Sequence, residues 1–195
     1  MGQADKGSSD QDHKDLVDRL GLPQKFALWV GTVEPRKNLT RLVRALEQVP
    51  NLGLVVVGPS GWNQDHGNMP DQSSTNVRFV GQVDDDTLLD LYRAASVFVF
   101  PSIAEGFGLP VLEAMAAGTP VVTSLNTATA EVAGDAALLV DPHDETAIAE
   151  AVSTVVNDPI RAEELKQRGL DRAELFSWDQ TAKLYSDIFY EAAGR

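Results

Sequence analysis

Short apolar runs alternate along the chain with longer stretches whose apolar residues recur every three or four positions. Phe26-Ala27-Leu28-Trp29-Val30, Leu52 to Val57, Val77 to Val80, Val97-Phe98-Val99-Phe100, Val121 to Ser124 and Ala137 to Val140 each read as a strand, being short and rich in β-branched or aromatic residues. Between them Leu39, Leu42, Val43, Leu46 and Val49 mark one helix, and Leu88, Leu91, Tyr92 and Ala95 another. Ile148, Ala151, Val152, Val155 and Val156 mark a helix that Asp144 caps, and Asp158-Pro159 starts the next. Leu16, Val17 and Leu20 suggest a short leading helix that ends at Gly21. A last helix is expected after Phe176-Ser177-Trp178-Asp179, capped by Ser177 or Asp179, with Leu184, Tyr185 and Ile188 facing inward or else left as an exposed apolar face that lacks its partner. This alternation predicts an α/β fold: a doubly wound, mostly parallel six-stranded sheet with helices on both faces.

The first twelve residues, MGQADKGSSDQD, are polar and expected to be disordered. The expected organisation is therefore a tail and leading helix over 1–22 and one α/β domain over 23–195. At 43% hydrophobic the chain can bury a sizeable core. Its 16 basic residues against 29 acidic ones, net −13, argue against a nucleic-acid partner and against contact with anionic lipid. The absence of cysteine excludes disulfides and thiolate zinc sites. No apolar run approaches membrane-span length, no signal-peptide core opens the chain, and Lys6 stands where a myristoylation site needs Ser or Thr.

The chemistry concentrates in PSIAEGFGLPVLEAMAAGTPVVT, Pro101 to Thr123. A strand hands over to a glycine-rich turn, Glu105-Gly106-Phe107-Gly108-Leu109, and a helix is expected to open at Pro110. The N–H groups at such a helix start lack partners, and the helix dipole favours an anion there. Glu105 stands before the turn and Glu113 about one helical turn inside. Carboxylates beside an anion site make sense if the ligand also carries hydroxyls, because a carboxylate only accepts hydrogen bonds. A second loop carries the opposite charge. After the first strand, Gly31 leads into Thr32-Val33-Glu34-Pro35-Arg36-Lys37-Asn38, so Arg36 and Lys37 sit at the ligand-binding edge of an open parallel sheet. Cations are unfavourable at a helix N-terminus; taken alone they read as a solvated loop pair, and together with the glycine turn downstream a bound polyanion explains them. Asp84-Asp85-Asp86 reads as helix capping rather than a metal motif.

Glu105-GFGLPVL-Glu113, with its seven intervening residues, resembles the signature of retaining group-one glycosyltransferases. These have the GT-B fold, two Rossmann-like domains with the active site between them. The resemblance covers roughly residues 26–190 and is to the C-terminal, nucleotide-sugar-binding half only; it implies that the N-terminal acceptor domain is missing. GTVEPRKN resembles a subgroup rich in mannosyl- and other hexosyltransferases, in which Arg36 supplies the second cation while Thr32 occupies a position that is Arg in many members. The resemblance implies that Arg36 and Lys37 neutralise a diphosphate leaving group and that Glu105 accepts from the transferred sugar; these three are the catalytic candidates. It implies further donor contacts at Gly31, Gly58, Val83 (through its backbone), Gly106, Phe107, Gly108, Leu109 and Glu113, with Glu113 accepting from the ribose. Gly58-Pro59-Ser60-Gly61 become neighbours of the donor. The donor substrate is then a nucleotide-diphosphate sugar, with no separate cofactor and no metal. The expected compartment is cytoplasmic, and attachment of the full-length enzyme to the inner membrane surface stays open. The departure at Ala130-Glu131, where the family often has Pro-Glu, puts the loop geometry around Glu131 in question.

Other readings remain. One is a non-catalytic nucleotide-binding or interaction module, which an exposed apolar face on the last helix would favour. Another is half of a nucleotide-sugar epimerase. A hydrolase using Glu105 and Glu113 as acid and base is disfavoured by the position of Glu113 inside a helix. A dehydrogenase is disfavoured because Thr32-Val33-Glu34-Pro35 follows the first strand with no G-x-G-x-x-G.

Overall fold

The computed structural model describes residues 10–59 and 77–194. Helix α1 (Asp10–Leu20) precedes strand β1 (Phe26–Val30), a 3-10 turn (Pro35–Lys37), α2 (Leu39–Leu46), β2 (Gly53–Val57), β3 (Val77–Gly81), α3 (Asp85–Ala94) and β4 (Val97–Phe100). Then come α4 (Leu109–Ala116), β5 (Val121–Ser124), α5 (Ala128–Ala133), β6 (Ala137–Val140), α6 (Glu145–Asn157), α7 (Pro159–Ala173) and α8 (Trp178–Ala192). All six strands run parallel in the order β3-β2-β1-β4-β5-β6. The expected doubly wound sheet is thus present, and it is wholly parallel.

Burial explains why the central runs carry no alternation. Helices cover both faces of the sheet, so β2 and β4 are buried at every position and β1 at all but Val30. The edge strand β3 is only half-buried. The chain leaves β1 toward β2 on one side and returns to β4 on the other, with Ala27 opposite Leu54 in β2 and Val97 in β4. The strand order reverses at this seam, and open α/β sheets form their ligand crevice beyond the carboxyl ends of the strands there.

The leading helix extends back to Asp10, into the stretch expected to be disordered. Leu16 and Val17 are buried, α1 packs against α3, and Leu22 N–H donates to the Val17 carbonyl at 2.9 Å. Once those two side chains dock, the polar turns before them need only continue an existing helix. Helix α4 opens at Leu109, one residue before the expected Pro110, because Gly108 takes the cap position.

The last helix takes the second of its two expected forms, with its apolar face exposed. Ser177 is its cap, accepting from Gln180 N–H at 3.1 Å. Leu184, Tyr185 and Ile188 do not face inward: they are 63%, 59% and 59% exposed, and no residue of α8 is buried. Helical periodicity identifies an apolar face but not what covers it, and no described element covers this one.

Two glycines bring the β1 and β2 ends together. Gly58 has φ +126°, and a Cβ there would lie 2.2 Å from the Gly31 carbonyl oxygen. Gly31 N–H donates to the Val57 carbonyl at 2.9 Å, so the strands cannot part to make room without losing a ladder bond. Replacing Gly58 by Ala is expected to cost at least about 2 kcal/mol from backbone strain and overlap together. Urea unfolding of Gly58→Ala checks this; a midpoint equal to that of the parent chain would show that the loop yields freely.

Candidate functional site

The loop after β1 turns through the 3-10 segment and reverses at Asn38, whose φ of 60° and ψ of 28° are left-handed values that asparagine tolerates. Asn38 is buried and acts as a clamp. Its Nδ2 donates to the carbonyls of Pro101 at 2.9 Å and Pro142 at 2.6 Å, and its Oδ1 accepts from Arg41 at 2.6 Å. Ile103 N–H adds a bond to the Arg36 carbonyl at 2.7 Å. The basic loop is thereby tied to the segment leaving β4, on the other side of the seam.

This brings together charges that are far apart in sequence. Arg36 Nη1 donates to Glu105 Oε2 at 2.9 Å and Lys37 Nζ to Glu105 Oε1 at 3.0 Å. Each carboxylate oxygen thus holds one cation. Arg36 Nε also reaches Glu34 at 2.8 Å, and its Nη1 lies 3.3 Å from the Ala104 carbonyl. Lys37 is buried to its tip. Its stem passes over Gly31, where a Cβ would sit 3.0 Å from Cδ, and its ammonium lies 4.8 Å from the Phe100 ring centroid. Gly31 is thus needed for the lysine's path across the strand end. The Glu105 hydrogen bond, reinforced by the charges of Glu105 and Glu34, raises the Arg36 guanidinium above its ordinary value against a smaller desolvation effect. The guanidinium therefore remains charged throughout the working pH range.

The glycine turn follows Glu105. Gly108 has φ 104° and caps α4 through no side chain; a Cβ on it would lie 2.7 Å from Thr129 Cγ2. The N–H groups of Phe107, Gly108 and Leu109 meet no acceptor among the described residues. They are donors at the positive end of a helix, a few residues from two cations. Phe107 and Leu109 are exposed.

Glu113 stands apart from this cluster. Its Oε2 accepts from the hydroxyl of Tyr92 on α3 at 2.9 Å. Tyr92 is buried, its ring edge-on to Phe98 with centroids 5.4 Å apart. Burial first, then the Glu113 charge and hydrogen bond, push the Tyr92 phenol far above its ordinary range. A cleft of about 620 Å³ opens beside Glu113, its walls including Phe107, Leu109, Leu112, Phe176 and Trp178. Phe107 and Phe176 meet edge-to-face across 6.2 Å.

The remaining candidates lie along the same end of the sheet. Gly58 closes β2 and donates to the Gly81 carbonyl at 2.8 Å. Val83 is half-buried just before Asp84. Gly106 lies within the turn, with open space where a side chain would go. Ser60 and Gly61, together with Trp62 and His66 of the long loop, lie outside the described residues. Asp84 caps α3, accepting from Thr87 N–H at 2.7 Å, and that bond lowers its carboxyl below the ordinary value. Among the described residues no group of three or more His, Asp or Glu is placed to hold a metal. Two site residues escaped the sequence reading. Asn38 follows the basic pair directly but gave no sign of its long-range partners, and Tyr92 reads as an ordinary core position in a helical stripe.

The chain is similar to known proteins over most of its length. The family model "Glycosyl transferases group 1" matches residues 12–172. O-antigen chain mannosyltransferase B of Escherichia coli is 42% identical over 164 residues, covering 80% of this chain and 43% of that protein. Sucrose-phosphate synthase of Thermosynechococcus elongatus superposes with a TM-score of 0.75 at 33% identity, over 91% of this chain and 49% of that one. Anabaena HepE, solved with UDP and glucose, shares the fold with a TM-score of 0.79 at 21% identity, over 93% of this chain and 52% of that one. The chain thus spans about half, or less, of the length of each of these.

Two outcomes follow from the clamps. Asn38→Gly keeps the left-handed turn but removes both amide donors, and is expected to cost about 2 kcal/mol in urea unfolding; an unchanged midpoint would mean that the amide bonds carry no stability. The second concerns pH. An unfolded chain releases the Tyr92 proton near the ordinary value of 10.0, whereas the folded chain keeps it. The unfolded state then binds fewer protons, so stability is full below pH 10 and declines above it. The decline should be steeper for the parent chain than for Tyr92→Phe, by up to about 1.4 kcal/mol per pH unit. Denaturant unfolding between pH 8 and 11 measures the difference.

Proposed function

The chain belongs to the glycosyl transferases group 1 family, and we propose that it forms the donor-binding half of a retaining enzyme that moves a hexose from a nucleotide-diphosphate sugar. The observation that carries this reading is the meeting of Arg36 and Lys37 on one carboxylate at the seam of the sheet, beside the uncapped start of α4. A diphosphate placed there would meet both cations and the free N–H groups of Phe107, Gly108 and Leu109. Negative charge grows on that diphosphate as the glycosidic bond breaks, so fixed positive charge aimed at it lowers the barrier. Arg36 and Lys37 supply that charge, and the reading assigns no metal or separate cofactor.

Glu105 changes partners in this scheme. Without donor it neutralises the cations. With donor it is free to accept hydrogen bonds from the transferred sugar while the diphosphate takes its place. Glu113 accepts from the ribose, and the ends of β1 and β2 at Gly31 and Gly58, with the backbone at Val83, line the remaining donor path. Retention follows from a same-face route in which the leaving phosphate itself assists the acceptor hydroxyl, so this half needs no protein base. The acceptor site belongs to a second, N-terminal domain, and the domain over 23–195 alone is expected to bind donor weakly and not turn over. The mannosyltransferase relative supports a mannosyl donor. The exposed apolar face of α8 favours the interaction-module reading, but that reading gives no account of why the cations and Glu105 converge.

Calorimetric titration of GDP, UDP and ADP without metal tests the proposal. Saturable binding of one nucleotide is expected, weakened at least about tenfold in Lys37→Ala, which loses a charge-assisted contact, and weakened also in Glu113→Ala. Flat titrations of the folded chain at millimolar nucleotide would overturn it.

A further inference from the structure

The proposed reading gives Glu113 a contact but does not say what holds its carboxylate in place. A glutamate on an exposed helix surface samples many rotamers, and a ligand that needs one of them must restrict the rest. Glu113 is exposed, yet its Oε2 is held at 2.9 Å by the hydroxyl of Tyr92. Everything behind that hydroxyl is fixed. The ring is fully buried and edge-on to Phe98, and the Tyr92 carbonyl accepts from Thr119 Oγ1 at 2.6 Å at the end of α4. Phenylalanine would fill the same volume. The hydroxyl therefore adds one thing to the packing, a donor aimed at Glu113. Tyr185 and Tyr190, by contrast, are exposed on α8.

We propose that Tyr92 is a positioning residue for Glu113, pinning Oε2 so that Oε1 faces outward as a fixed acceptor for the cis-diol of a ribonucleoside diphosphate. Oε1 meets no donor among the described residues. It has lone pairs for two hydroxyl donors, and neighbouring ribose hydroxyls present two donors at one place. The phenol keeps its proton because burial and the adjacent carboxylate both oppose ionisation, so the hydrogen bond runs one way, from Tyr92 to Glu113. A preorganised acceptor rewards a ligand that has the diol and gains nothing from one that lacks it. The consequence is discrimination between ribose and deoxyribose, set by a residue that does not itself touch the nucleotide.

This inference rests on the donor-binding reading above, and the test separates the two. The parent chain, Tyr92→Phe, Glu113→Gln and the double variant are titrated with GDP, UDP and ADP and with their 2′-deoxy counterparts. The parent is expected to prefer the ribonucleotide. In Tyr92→Phe that preference should fall about three- to tenfold, the range for loss of one hydrogen bond, with affinity for the deoxynucleotide unchanged. The double variant should lose no more than Glu113→Gln alone, because both act through one carboxylate. Tyr92→Met, which fills the site flexibly without a hydroxyl, repeats the measurement if the phenylalanine variant unfolds. If the parent binds a nucleotide and the variants lacking the hydroxyl keep its full preference, Tyr92 only packs and the inference fails by itself. If the parent binds no nucleotide, the donor-binding reading fails and this inference with it.

Discussion

Two positive charges share one carboxylate across the seam between β1 and β4, and the rest of the site is arranged around that contact. Lys37 and Glu105 are both largely removed from water, and neither could stay charged there alone without a large desolvation cost. Pairing offsets the cost only if the geometry is held closely. The structure holds it from several sides. Asn38 fixes the basic loop to the carbonyls of Pro101 and Pro142, Gly31 leaves a path for the lysine stem, and Phe100 presents its ring to the ammonium. The wholly parallel sheet supplies the foundation, because β1 and β4 are hydrogen-bonded neighbours whose following loops must emerge side by side.

A site built in this way is complete electrostatically before any ligand arrives. The pairing with Glu105 offsets the cost of burying Lys37. On the proposed reading, a polyanionic ligand competes with that internal partner. Displacing Glu105 from the cations exposes a carboxylate at the same place, and a ligand carrying hydroxyls can satisfy it. A simple phosphate would displace the carboxylate and leave it without a donor. The proposed reading therefore favours ligands that combine anionic and hydroxyl groups.

The fold was legible because its evidence is local. Each buried strand is a short continuous run of β-branched and aromatic residues, and each helix shows its period and often its cap, as Asp84, Asp144, Asp158 and Ser177 all do. Arg36, Lys37 and Glu105 stand out in the sequence too, since charge in a strand-to-helix loop is locally unusual. The pairings were not. Arg36 and Glu105 lie 69 positions apart, and nothing in either segment says that they meet. Tyr92 stands at a core position of the helical stripe and its ring is buried, but periodicity cannot tell where a hydroxyl points. Asn38 looked like a loop residue because its partners, at 101 and 142, are defined only once the sheet is assembled. Helix α8 divides the reading: its period is right and its apolar face is exposed, as a missing partner domain implies, while the inward placement of Leu184, Tyr185 and Ile188 finds no described element to pack against.

The strongly acidic composition does not conflict with the proposed anion site. At physiological ionic strength charges separated by more than about 8 Å through solvent are largely screened. Most of the net charge of −13 lies on solvated surface and acts only within that range. Arg36 and Lys37 both act at hydrogen-bond distance from Glu105; Arg36 does so from an exposed position, and Lys37 largely out of water, where the same charge counts for more. Overall charge therefore governs solubility and approach, slowing an incoming polyanion. Local charge governs whether it stays.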